Sequence, residues 1–267
     1  MSVDPFRDEA RFARPAHAAG VELVSVSYRC RSFPVHTHPE FVVGAVIGGA
    51  ESLLVNKRAF TVGAGATLFL HPDEPHANAT LGDDALQYRV FYLQSGALAE
   101  ALGGKLPSFQ TPVSEASHLF DALVRAHGVL ASAASDALEQ ESAFSALAHA
   151  LIDAAPDVAR TRRHPSARTR RVQAFIDAHF AESFGLSKLA QVSGLSSVHT
   201  LRTFKQDIGV TPLAYRNQVR LTHARRLLRA GHAVADTAAA VGFVDQSHLS
   251  RQFQRVVGVS PARYARQ

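Results

Sequence analysis

The sequence predicts an α+β protein of two domains, an N-terminal β-barrel with accessory helices and a C-terminal all-α pair of helix-turn-helix units. Three observations carry this. Short apolar runs punctuated by Gly and Pro fill residues 1–112, the pattern of a sandwich or barrel. One helix-turn-helix text occurs twice in the last hundred residues. Charge is split: residues 160–267 hold 18 Lys+Arg against 5 Asp+Glu, and residues 1–159 hold 10 against 18. The net +5 of the 267-residue chain therefore conceals a basic half and an acidic half, and the basic half is the one suited to a polyanion.

Length and composition bound the rest. A chain of 267 residues can bury two cores of ordinary size. No run of about 18 apolar residues is present, which predicts no membrane span. The charged opening MSVDPFRDEARF lacks the apolar stretch of a signal peptide. Cys30 is the single cysteine, so no intrachain disulfide can form, and a cytoplasmic location is expected. The expected segments are 1–112 for the barrel, 113–155 for covering helices, 156–168 for a linker and 169–267 for the helix-turn-helix domain.

In the barrel region, strands are expected from Val21, over Phe41–Ile47, Leu53–Val55, Phe60–Val62, Thr67–Leu70 and Tyr88–Leu93. The segment His36-Thr-His38-Pro-Glu40 places two imidazoles and a carboxylate at i, i+2 and i+4, on one face if it is a strand. A further histidine, His76, follows a Pro-rich turn, with His71 and Asn78 expected on the rim or in turns. Residues 113–155 then switch to helical period. Leu119, Phe120, Leu123, Val124, His127 and Leu130 form one stripe, and Phe144, Leu147, Leu151 and Ile152 another. Two helices covering an open face of the barrel account for both. The stretch PDVARTRRHPSARTR reads as an exposed linker.

In the basic half, Val172, Phe175, Ile176, His179 and Phe180 stripe the opening helix, and Ser187 is expected to cap the next, which ends at Gly194. Thr211-Pro212 starts a long connecting helix. Leu221, Ala224 and Leu228 form its inner stripe, and Arg220, Arg225, Arg226 and Arg229 are expected to project outward. The stretch Ala235–Tyr264 is a short helix, a turn at Gly242-Phe243, and a second helix capped by Asp245. Leu249, Phe253 and Val256 face inward. Gln246, Ser247, Ser250, Arg251 and Arg255 face out, as donors for base edges and phosphates. Ala190, Gly194 and Leu195 repeat Ala238, Gly242 and Phe243 at an offset of 48, whereas His199, Arg202, Phe204, Gly209, Pro212 and Tyr215 repeat His248, Arg251, Phe253, Gly258, Pro261 and Tyr264 at 49. In the first copy Thr200 stands where a buried Leu is expected, and Ser197, Val198, Leu201 and Arg202 are the candidate DNA contacts.

The run A-V-G-F-V-D-Q-S-H-L-S-R-Q-F with G-V-S-P-A-R-Y resembles the AraC/XylS family of transcription regulators. The resemblance implies two recognition helices in adjacent major grooves of promoter DNA, about one DNA turn apart. H-x-H-x-E and P-x-E-P-H resemble the motifs of the cupin barrel, in particular the effector-binding cupin of that family. The implied effector-site residues are His36, His38, Glu40 and His76, and a small-molecule effector is expected. The same four could ligate a divalent metal. Metal cupins, however, usually leave three or four residues between the second His and the Glu, where here only Pro39 intervenes. Family likeness also implies a homodimer through the covering helices, with RNA polymerase as a possible partner. No Ser-His-Asp or Cys-His nucleophile and no phosphate-binding Gly loop is legible, so no enzyme is expected. The alternatives are an effector-independent regulator whose barrel is a scaffold, and a metal-dependent cupin enzyme carrying a DNA-binding appendage.

Overall fold

The computed structural model describes residues 8–155 and 165–267, which fall in two compact units divided near residue 160. Most of the expected linker at 156–168 lies outside the described residues. Those of its residues that are described end in the first turn of a helix that begins at Ala167, two residues before the expected boundary.

Unit 1 is built from two antiparallel sheets. Its strands are β1 (Glu9–Ala13), β2 (Val21–Tyr28), β3 (Ser32–His36), β4 (Phe41–Gly48), β5 (Ala50–Val55), β6 (Arg58–Gly63), β7 (Thr67–Leu70), β8 (His76–Leu81), β9 (Leu86–Leu93) and β10 (Val113–Ser114). One sheet runs β1-β2-β9-β4-β7-β10 and the other β3-β8-β5-β6. The expected strands are all present. Of the four that were not anticipated, β1, β3, β8 and β10, the short β10 extends the sheet into the segment assigned to helices.

Strand alternation sorts side chains between two environments. Val21 opposes Leu93, Leu23 opposes Phe91, and Val43 opposes both Phe91 and Phe69, so these odd-numbered residues share one face of the larger sheet. Against that face pack α2 (Ser117–Ala131) and α3 (Ala137–Asp153), which contribute Leu119, Leu123, Leu130, Leu147 and Leu151 to one apolar core. A shorter helix, α1 (Ser95–Ala101), adds Leu98. The α3 start is strongly specified: Asp136 accepts from the Glu139 amide, and the Glu139 side chain accepts from the Asp136 amide. The expected covering role of these helices is what the structure shows. The even-numbered face, with Tyr88, Val90 and Tyr92, looks instead toward the smaller sheet, where His38 meets Tyr92 at 5.1 Å between rings.

Unit 2 is all helical: α4 (Ala167–His179), α5 (Leu186–Ser193), α6 (Ser197–Ile208), α7 (Pro212–Arg229), α8 (Val234–Ala240), α9 (Gln246–Val257) and α10 (Pro261–Ala265). Side chains of Ser166, Ser196, Thr211, Asp245 and Ser260 each accept from the amide three residues on, satisfying one of the orphan donors at each of five helix starts. Ser187 does not cap α5. It lies inside that helix, and Gly185 occupies the N-cap without a side-chain bond. The first core gathers Val172, Ile176, Leu189 and Phe204, and Leu249, Phe253 and Tyr264 are buried in the second half of the unit.

Two arginines expected to project from α7 are buried. The Arg220 Nε donates to the Phe180 carbonyl at 2.7 Å and its Nη2 reaches the carbonyls of Ala181 and Glu182, while its guanidinium lies 5.6 Å from the Phe243 ring centroid. Arg225 and Arg229 both donate to the Tyr264 hydroxyl. Guanidiniums are thus spent on helix-end carbonyls and a phenol inside the unit, where three or more donors in a fixed fork suit them better than lysine.

Candidate effector site and nucleic-acid interface

Three histidines converge in unit 1. Strand β3 pairs with β8 so that His36 opposes His76, and the Asp73 amide donates to the His38 carbonyl at 2.6 Å, drawing the following loop onto the same end. Their ring centroids are 4.7 Å apart for His36 and His38, 4.3 Å for His36 and His76, and 5.1 Å for His38 and His76. One nitrogen from each lies within 4.8 Å of the others. His36 and His76 are buried, and His38 is half-buried.

Hydrogen bonding sets the tautomers. The His36 Nδ1 is 2.7 Å from the Pro34 carbonyl oxygen and the His76 Nδ1 is 2.8 Å from that of Glu74. A carbonyl only accepts, so in both rings Nδ1 carries the proton and Nε2 keeps its lone pair. Burial lowers the pKa of His36, and burial with the neighbouring His36 charge brings His76 down to about 3. Both rings are therefore neutral near pH 7.

Glu40 does not join them. Strand β3 ends at His36 with an irregularity in its register, so the i, i+4 relation that would have placed Glu40 on the same face does not hold, and among the described residues the cluster contains three histidines only. His71 is buried and structural: its Nε2 accepts from the Phe109 amide at 3.2 Å.

Asn78 is neither rim nor turn. It sits in β8, and its Nδ2 donates to Glu51 Oε2 at 2.9 Å. Glu51 was not anticipated. It is fully buried in β5, its other carboxylate oxygen has no hydrogen-bond partner, and burial raises its pKa to about 7, with the Asn78 bond pulling the other way. Tyr88 faces it. Burial, then the charge of Glu51, push that phenol well above its ordinary value, and a Cβ on Gly44 would stand 2.5 Å from the Tyr88 ring. The signal for Glu51 was present as phase: it shares strand parity with the apolar Leu53 and Val55.

In unit 2 the candidate DNA contacts lie on two helix faces. On α6, Val198, Leu201 and Arg202 are exposed and Ser197 is half-buried. On α9, Gln246, Ser247 and Arg251 are exposed and Ser250 is half-buried. The inward faces differ instructively. Val241 and Leu249, both essentially inaccessible, have as their counterparts in the first copy Ser193 and Thr200, also buried. The two hydroxyls lie 2.7 Å apart, and Thr200 Oγ1 donates to the Ser196 carbonyl. A satisfied polar pair replaces an apolar one, which is why Thr200 is tolerated where a Leu was expected. His248 packs edge-on against Phe243 at the turn.

Comparison with known proteins follows these boundaries. Residues 18–148 match the AraC-like ligand binding domain and residues 189–267 a helix-turn-helix domain. The HTH-type transcriptional regulator YbfI of Bacillus subtilis is 30% identical over 226 residues, 82% of each chain. The chain belongs to the AraC family of transcription regulators. A second relative, the transcriptional activator RhaS of Klebsiella pneumoniae, is 28% identical over 259 residues, covering 91% of this chain and 92% of its own. Among solved structures, ToxT from Vibrio cholerae aligns with a TM-score of 0.59 at 10% identity, over 92% of this chain and 97% of that one, a likeness of fold. This AraC-family chain is accordingly a ligand-responsive, DNA-binding regulator of transcription, with the sensing domain first and the helix-turn-helix domain second. Among the described residues no helix is long and apolar enough to cross a membrane.

Proposed function

We propose that the effector is held inside the two-sheet domain against His36, His38 and His76, and that operator DNA is read by α6 and α9. The observation that carries the effector site is the convergence of three imidazoles, two of them locked with Nε2 unprotonated. Glu51 and Asn78 supply a second polar region on the same sheet. ToxT, which shares this architecture, has been solved with an unsaturated fatty acid bound, so that protein takes a small molecule. In this chain the groups on offer are imidazole and carboxylate.

The same three histidines fit a divalent cation such as zinc, because neutral imidazoles with their second nitrogen tied to a carbonyl are the usual form of a metal ligand. His36, His38 and His76 would hold it without Glu40. A bound cation would supply a Lewis acid to an oxygen of the effector, and the protein would orient that oxygen.

Scanning fluorimetry of the full chain against a panel of metabolites, and separately against zinc and nickel, tests this reading. A ligand at 100 times its dissociation constant stabilises the native state by about 2.7 kcal/mol. Stabilisers should lose their effect in His38→Ala, whose side chain is half-buried and whose loss the fold can absorb. Equal stabilisation of the variant would overturn the site, and elemental analysis of the purified protein decides whether metal is resident.

For DNA, the reading assigns Gln246, Ser247, Ser250 and Arg251 of α9, with Ser197, Val198, Leu201 and Arg202 of α6, to the major groove. We further propose a cytoplasmic homodimer that associates through α2 and α3 and acts without enzymatic turnover, with RNA polymerase as the downstream partner. Sedimentation of the full chain would reveal a monomer if the dimer is wrong.

A further inference from the structure

The two recognition helices are copies of one another, so each position of α6 has a counterpart in α9 that serves as an internal control. Aligning Arg202 with Arg251 and Phe204 with Phe253 sets Val198 on Ser247, Leu201 on Ser250 and Lys205 on Gln254. The buried positions of the two helices correspond, with Thr200 and Phe204 inward in one and Leu249 and Phe253 inward in the other. The exposed sides are not alike. Val198 is 58% and Leu201 36% exposed, an apolar pair at i, i+3. Arg202 and Lys205, also exposed, lie beside them one turn on.

Neither apolar side chain is needed to close the domain, because the core beneath them is made by Val172, Ile176, Leu189 and Phe204. Their setting is also basic rather than acidic, in a half of the chain with 18 Lys+Arg against 5 Asp+Glu. An apolar pair inside a basic face suits a polyanion that carries an apolar group at its reading surface. Duplex DNA has one such group in the major groove, the C5 methyl of thymine.

We propose that Val198 and Leu201 make α6 a reader of thymine methyl groups, while α9, with Ser247 and Ser250 at the same positions, reads its half-site by hydrogen bonds. The operator would then be chemically asymmetric, with methyl-dependent recognition in one arm only. This rests on the reading that α6 enters a major groove, and the test separates the two.

Sites are first selected from random duplexes with the full-length protein. Each thymine of a selected site is then replaced by deoxyuridine, which deletes the methyl and leaves base pairing and every hydrogen-bonding edge intact. Burying one methyl is worth about a fourfold change in affinity. The expected result is a loss of about fourfold at one or two thymines, all in one arm, and its disappearance in the double variant Val198→Ser/Leu201→Ser. Both positions are exposed, so that variant retains the fold, and Leu201→Ser alone should give the intermediate result. A wild-type protein indifferent to deoxyuridine everywhere, while Arg202→Ala still weakens binding, would overturn methyl reading and leave α6 in the groove. Methyl sensitivity that persists unchanged in the serine variant would overturn the assignment to these two residues. Indifference to deoxyuridine, to the serine variant and to Arg202→Ala together would remove α6 from the DNA, and the proposal with it.

Discussion

Replacing Gly242 by alanine tests how the two helix-turn-helix units are held together. Gly242 has φ +81°, in the left-handed region, and a Cβ added there would overlap the Ala181 carbonyl oxygen and lie 2.8 Å from its carbonyl carbon and Cα. Those atoms belong to the connection between α4 and α5, which cannot retreat easily, because Arg220 holds the carbonyls of Phe180, Ala181 and Glu182. The equivalent glycine of the first copy, Gly194, has φ +70° with nothing within 4 Å of its added Cβ. Both substitutions incur the left-handed penalty, roughly 1–2 kcal/mol. Only Gly242→Ala adds overpacking, at about 1–3 kcal/mol. The difference between the two variants is therefore the strength of the contact between the two helix-turn-helix elements. Hydrogen exchange of the full chain, followed on peptides of α8 and α9, reads the local opening free energy directly. Gly242→Ala should accelerate exchange there by about 5- to 150-fold more than Gly194→Ala does in α5 and α6. Equal effects in the two copies would refute the close approach as a structural constraint. The same variant should also weaken binding to an operator carrying both half-sites, since the rigid spacing of the heads depends on this contact.

Other outcomes follow from the same structure. Arg251→Ala should cut discrimination between operator and random DNA by about 1–3 kcal/mol, while leaving non-specific, salt-sensitive binding largely unchanged, as read by mobility shift at two salt concentrations. Equal loss on both DNAs would remove Arg251 from base reading. Thr200→Val removes the 2.7 Å contact with the Ser193 hydroxyl, which keeps its bonds to the Ala190 carbonyl and the Leu195 amide, so it should cost about 0.5–1.5 kcal/mol, and in a double-mutant cycle with Ser193→Ala the two losses should be less than additive, an expectation that fails if they simply add. Glu51 has a folded pKa of about 7 against an ordinary 4.5, so the folded state holds its proton more tightly than the unfolded state. Its contribution is full below pH 4.5 and is lost as pH rises through about 7, a fall on the order of 3 kcal/mol. Glu51→Gln should flatten that slope in denaturant unfolding. An unchanged slope would mean the carboxylate is not the titrating group.

Local chemistry explains what was legible before any fold was known. Caps at Asp245 and Thr211, glycine at the turns, and apolar period along α6 and α9 are decided within a few residues, so sequence alone places the helices and, through duplication, the two reading heads. The barrel strands were legible for the same reason, as runs of β-forming residues between Gly and Pro. Glu40 is not on one strand face with His36 and His38, because that placement assumed a strand through residue 40, whereas β3 ends at His36. Arg220 and Arg225 escaped because a long cation reads as exposed until its partners are known, and those partners stand about forty residues away in the chain. Glu51 and Asn78 meet only because β5 and β8 pair in one register, and Gly242 touches Ala181 only because α7 brings the second helix-turn-helix back onto the first. Sequence by itself determined most of the elements, the duplication and the polarity of the domains, since those are set by neighbours a few residues apart. Tertiary structure alone decided which buried groups meet, since register and helix packing sum many weak contacts that no short stretch contains.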